Sequence, residues 1–112
     1  MIKKSFGGPL STSYQTFYTV PQGKKAEWVL LYVTNTSGST SSFSVRIWKE
    51  EAQAYLTVFD GYSLSASEFF KIGGGMNEFI MLAEGDKIEA LDGAGMTILI
   101  SVIEYNDVIK GG

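Results

Sequence analysis

The stretch Phe43-Ser44-Val45-Arg46-Ile47-Trp48-Lys49-Glu50 decides the fold class. In an extended chain successive side chains point to opposite faces, so Phe43, Val45 and Ile47 share one face while Ser44, Arg46, Trp48 and Glu50 share the other. A period of two is a strand signal, and the first face is expected to be core. Trp48 then points away from that core.

The same reading extends outward in both directions. Strands are expected near Tyr14–Val20, Glu27–Asn35, Phe43–Glu50, Ala54–Asp60, Ser67–Ile72, Glu78–Leu82, Lys87–Leu91 and Met96–Tyr105. Between them lie Pro21-Gln22-Gly23, Thr36–Ser42, Asp60-Gly61, Gly73-Gly74-Gly75, Glu84-Gly85-Asp86 and Asp92-Gly93, which supply turn chemistry. Short strands with a turn signal about every 8–12 residues suggest an all-β sandwich or barrel. The expected fold is a single antiparallel β-sandwich, jelly-roll-like, of about eight strands. Trp28–Val33 and Met96–Ile103 are apolar on both faces, as befits strands central to a sheet or covered by a partner. Both readings stay open at this point.

Residues 1–13 show no strand period and contain Gly7, Gly8 and Pro9, so they read as an N-terminal arm, mobile or ordered by a neighbour. Residues 14–106 form the sandwich domain, and 107–112 a C-terminal tail. No internal repeat or linker interrupts this single domain.

Composition narrows the chemistry. The 112 residues include no Cys and no His, which removes thiolate and imidazole zinc sites, Ser-His and Cys-His nucleophiles and disulfide staples. Nine basic against 12 acidic residues give a net charge of −3, and Arg46 is the single arginine, so a nucleic-acid surface is not expected. No stretch approaches the ~20 apolar residues of a membrane-spanning helix, and no apolar run follows Lys3-Lys4 to make a secretion signal. The expectation is a protein made in the cytosol, without cofactor or metal and without catalytic residues.

Three constellations resemble chemical motifs, and none carries an assignment. Glu84, Asp86, Glu89 and Asp92 are dense in carboxylates, but they match no calcium loop, enclose Lys87 and read as a charged turn and strand edge. Gly73-Gly74-Gly75-Met76 lacks the Gly-Lys-Ser/Thr ending of a phosphate loop. Asn35-Thr36-Ser37 has the form of a glycosylation acceptor in a chain without a secretion signal.

Aromatic residues make up 13% of the chain, more than a sandwich this small can hide, so some are expected at an interface. The residues expected to contact a partner are Ile2, Phe6 and Leu10 in the arm, and Trp48, Phe69, Phe70, Met76 and Phe79 in the domain.

The order Tyr18-Thr19-Val20-Pro21-Gln22-Gly23-Lys24-Lys25-Ala26-Glu27, running into Leu31-Tyr32-Val33-Thr34-Asn35-Thr36-Ser37-Gly38, resembles small virion structural proteins of tailed bacteriophages. Ala83-Glu84-Gly85-Asp86-Lys87-Ile88-Glu89-Ala90 and the closing Ile100-Ser101-Val102-Ile103-Glu104-Tyr105 continue the likeness, which spans most of Tyr14–Tyr105. These motifs sit at turns and mark a scaffold. Phe69–Phe79 departs from the pattern in being more aromatic and more glycine-rich. The resemblance implies a non-enzymatic part of a phage particle, located in the virion. The preferred role is a capsid decoration (cement) protein whose partner is the major capsid protein or another virion protein, with self-association also open. A tail adaptor or fibre-base component is the alternative. A different class, a carbohydrate-binding module, would use Trp28, Trp48 or Tyr55 as a sugar platform with Arg46 as a hydrogen-bond donor. A hydrolase built on Glu50, Glu51 and Asp60 has no supporting motif.

Overall fold

The computed structural model describes residues 1–73 and 80–107. Nine strands are present among them: β1 (Ile2–Pro9), β2 (Gln15–Thr19), β3 (Lys24–Asn35), β4 (Ser41–Lys49), β5 (Ala54–Leu64), β6 (Phe69–Gly73), β7 (Ile80–Leu82), β8 (Lys87–Asp92) and β9 (Met96–Asn106). Their order is β1-β9-β3-β6 in the first sheet, where β7 also pairs with β3, and β2-β8-β4-β5 in the second. All pairings are antiparallel. The chain crosses between the two packed sheets at every connection except β4–β5 and β6–β7, and the terminal strands β1 and β9 lie side by side, a β-sandwich arrangement compatible with a jelly roll.

The eight strands read from alternation are all present. The face holding Phe43, Val45 and Ile47 is buried, and it packs with Leu31, Val33, Ile88, Ala90, Ile98, Ile100 and Val102 in one inter-sheet core.

The N-terminal arm is corrected. Ile2–Pro9 is a sheet strand that pairs with β9 over its whole length, from Ile2 opposite Glu104 to Pro9 opposite Thr97. Its glycines and proline suit the edge position. A Cβ on Gly7 would lie 2.6 Å from the Ile98 carbonyl oxygen, so the two backbones approach too closely there for any side chain. Lys4, Phe6, Gly8 and Leu10 alternate inward, and Leu10 reaches the core. The sandwich therefore begins at residue 2 rather than 14.

Buried polar residues pin the ends of the roll. Asn35 donates through Nδ2 to the carbonyls of Ser39, Leu64 and Ser65, and its Oδ1 accepts from the Ser37 N–H and hydroxyl. One side chain thus joins the β3–β4 loop to the β5–β6 turn. Asp86 accepts from Ala83 N–H, Glu50 N–H and Lys49 Nζ, tying the β7–β8 turn to the end of β4. Gly85, at φ 83°, gives that turn its left-handed residue, where any side chain would also strike Glu50.

Inside the sandwich Tyr18 donates its hydroxyl to Glu104 at 2.6 Å, and Lys4 Nζ lies 3.0 Å from the same carboxylate. Burial, reinforced by the hydrogen bond to Glu104 and its charge, pushes the Tyr18 phenol well above its ordinary value. Burial alone would raise the Glu104 carboxyl, but hydrogen bonds from Tyr18 and Lys4 and the charges of Lys4 and Lys24 outweigh it and hold the carboxyl low. A lowered carboxyl contributes stability that is present above the unfolded value near 4.5 and lost as pH falls through the folded value. A raised phenol contributes stability that is present below 10.0 and lost as pH rises beyond it. Glu104→Gln is therefore expected to be less stable than wild type at neutral pH, yet to lose less stability on acidification to about pH 3. Urea titrations across this range provide the check, and equal acid sensitivity in the two proteins would remove Glu104 from this role.

Candidate functional site

β3 and β9 are the two central strands of the first sheet, flanked by β1 on one side and by β6 and β7 on the other. Their inner residues fill the core. Their outer residues form rows across the sheet: Leu99 lies beside Tyr32, Ser101 beside Leu30, and Ile103 beside Glu27. β6 and β7 continue these rows with Phe69 opposite Thr34, Lys71 opposite Tyr32 and Met81 opposite Glu27. The Phe69 ring stacks on Tyr32 at 5.4 Å and 11° and remains 61% exposed. Leu99 and Met81 are also exposed, and Leu30, Tyr32 and Ile103 are half-buried. The two-faced apolar character of β3 and β9 thus has two causes. The strands are central, and no described element of the chain covers their outer face.

The outer face of the second sheet is different in kind. The Arg46 guanidinium lies between the rings of Tyr14 and Tyr55, 3.7 Å from each centroid, and its Nε donates to Glu89 at 2.8 Å. Trp48 meets Tyr55 edge-on at 4.9 Å and donates Nε1 to Glu50. Cross-strand register explains the grouping, since Trp48 faces Tyr55 on β5 and Arg46 faces Glu89 on β8. Both of these nitrogen donors are already used by carboxylates of the chain. The cluster is a closed cation–π and ion-pair assembly that covers its own sheet.

The eight residues expected to contact a partner do not form one surface. Ile2 is exposed at the start of β1, while Phe6 packs on Tyr18 at a centroid distance of 5.2 Å and Leu10 is buried, so these two serve the fold. Phe70 points inward and packs with Phe43, Phe59 and Tyr62 at 5.8, 5.0 and 4.7 Å. Phe69 and Trp48 face outward on different sheets. Met76 and Phe79 lie outside the described residues, as does the Gly73–Met76 run beyond Gly73. Of the proposed sugar platform, Trp28 is buried and donates Nε1 to the Leu30 carbonyl, whereas Trp48, Tyr55 and Arg46 do converge. Leu99, Tyr32 and Met81 were not singled out by sequence, although the two-faced pattern of β3 and β9 carried the signal for the first two.

The carboxylates of Glu84–Asp92 are used one at a time. Glu84 accepts from Gly23 N–H, Asp86 binds Lys49 and two backbone amides, Glu89 binds Arg46, and Asp92 accepts from Met96 N–H. Among the described residues no three such groups converge. A depression lined by Lys25, Lys49, Met81, Leu82, Ala83 and Asp107 is open to solvent, and its Lys49 is committed to Asp86 at 2.6 Å.

No protein-family model and no curated protein matches this sequence. Among solved structures, the Eiger TNF from S. frugiperda is similar over 82% of this chain and 65% of that chain, just under two thirds of it. The identity is 15% and the TM-score 0.38, a likeness too distant to inform fold or function.

Proposed function

We propose that this chain is a non-catalytic structural subunit of a bacteriophage particle, a capsid decoration protein that docks the outer face of its first sheet on the assembled shell. The observation that carries the docking is the apolar outer face of β3, β9 and β6, centred on Leu99, Tyr32 and Phe69, which no described part of the chain covers. The phage setting comes from the resemblance at Tyr18–Glu27, Asn35–Gly38 and Gly85–Asp86. The face is modest in area. Stable pairwise interfaces bury about 800 Å² per partner, whereas a few half-exposed side chains offer less apolar area and suit a repetitive surface where many copies bind together.

Mixing the protein with undecorated particles and following co-sedimentation and heat resistance tests this reading. Wild type is expected to bind and protect. The double variant Phe69→Lys, Leu99→Lys removes two anchors from the face centre, about 2–3 kcal/mol together, and is expected to bind roughly 30- to 150-fold more weakly with its fold intact. Equal binding by the folded double variant would reject this face. Failure of wild type to bind shells would favour a tail position.

The convergence of Trp48, Tyr55 and Arg46 supports a second reading, a carbohydrate-binding module. It requires reproducible binding to one glycan class that Tyr55→Ala abolishes, and the engaged state of Arg46 and Trp48 argues against it.

A further inference from the structure

Edges of β-sheets present unpaired backbone groups, and proteins normally blunt them with charge, proline, bulges or short strands. Three margins of this sandwich are blunted. β1 carries Lys3, Lys4 and Pro9, β2 has five residues with a register shift at Thr16/Tyr18, and β6 is five residues long with Lys71 in it. β5 is the exception. It is an edge strand of 11 residues, and its first part, Ala54-Tyr55-Leu56-Thr57-Val58-Phe59, contains no charge, proline or glycine. Its pairing with β4 is regular from Ala54 to Thr57, and register shifts bend the strand only beyond that.

A second observation points to the same margin. Leu56 lies opposite Ile47, Ile72 opposite Leu31 and Ile80 opposite Trp28, so register aims all three toward the space between the sheets beside buried partners. They are nevertheless 55%, 45% and 40% exposed. The sandwich is open along this side, where its inward-facing apolar residues meet solvent.

We propose that a second copy of this chain closes this margin, β5 pairing antiparallel with β5 about a two-fold axis at Leu56. Antiparallel partners share a face, so a two-fold register must match residues of like parity. Centring on Leu56 sets Leu56 opposite itself, Tyr55 opposite Thr57 and Ala54 opposite Val58. No like charges meet anywhere in this register, because the paired segment has none. The most exposed inward-facing residue becomes the centre of the contact, and the two second sheets join into one of eight strands. The interface is isologous and closes at two copies. It is separate from the proposed docking face, and its test involves no phage shell.

The test uses the full chain in solution. Sedimentation velocity at about 100 μM is expected to show a dimer, and Leu56→Lys or Thr57→Lys, each placing a charge on the edge, is expected to give a monomer with unchanged near-ultraviolet circular dichroism. If one variant misfolds, the other decides. The absence of native cysteine provides a direct register check. Directly opposed antiparallel residues have Cα atoms about 4.5–5.5 Å apart, within disulfide reach, so Leu56→Cys is expected to oxidise to a dimer at least about tenfold faster than a Thr16→Cys control on the β2 edge. A monomeric or trimeric wild type, a folded dimeric Leu56→Lys, or equal oxidation of the two cysteine variants would each overturn the proposal.

Discussion

Deletion of residues 1–10 is expected to leave this chain without a cooperative fold at room temperature. The deletion removes β1, an eight-residue ladder against β9, and with it the inward-facing Phe6 and Leu10. Loss of the buried Leu10 side chain alone costs about 2–5 kcal/mol. The ladder's removal also exposes one side of β9, where Ile98, Ile100 and Val102 stand opposite Gly8, Phe6 and Lys4. It separates Lys4 from Glu104 as well. Together these losses exceed about 5 kcal/mol, which is comparable to the whole stability of a small domain. Near-ultraviolet circular dichroism and thermal melts of the truncated chain decide the point. A cooperative melt within about 5 °C of wild type would mean that the segment is a dispensable arm after all.

Asp86→Ala is expected to destabilise the fold by about 3–5 kcal/mol and lower the melting temperature by about 15 °C. The side chain is almost wholly buried and is the shared acceptor for two backbone amides and the Lys49 ammonium. Alanine leaves all three donors without their acceptor at the point where the β7–β8 turn meets the end of β4. The backbone bonds of this turn to Val20 then lose their support, although they are not themselves deleted. Asp86→Asn keeps an acceptor oxygen but loses the charge that holds Lys49 and turns one lone pair site into a donor. It is expected to cost about half as much. Urea unfolding monitored by tryptophan fluorescence gives both values, and a cost below about 1 kcal/mol for Asp86→Ala would show that the turn holds without its carboxylate.

These two sites differ in how legible they were. Gly85-Asp86 is legible in the sequence as a turn that marks scaffold. The three hydrogen bonds give that reading its physical content, as the five around Asn35 do for the Asn35–Gly38 motif. The first strand was not legible. Lys3, Lys4, Gly7, Gly8 and Pro9 each lower strand propensity, and what makes them a strand is β9, some ninety residues away, whose Ile98 carbonyl passes where only glycine fits.

The candidate surfaces divide along the same line. Alternation is a property of adjacent residues, so the chain by itself determined the eight strands between residues 14 and 106, the inward set Phe43, Val45 and Ile47, and the turns that separate the strands. It also determined that Trp48 leaves the core, because a period of two admits no other face once its neighbours are inside. Only the tertiary structure decided which of two adjacent aromatics faces the core. Phe69 and Phe70 are equally apolar, and Val33 captures Phe70 through register while Phe69 is left to stack on Tyr32 outside. Only the fold brought Arg46 between Tyr14 and Tyr55, or put Glu104 beside Tyr18 and Lys4. Strand periodicity needs no partner, whereas inside and outside on a strand with two apolar faces are set by which other strands lie beside it and which sheet lies across from it.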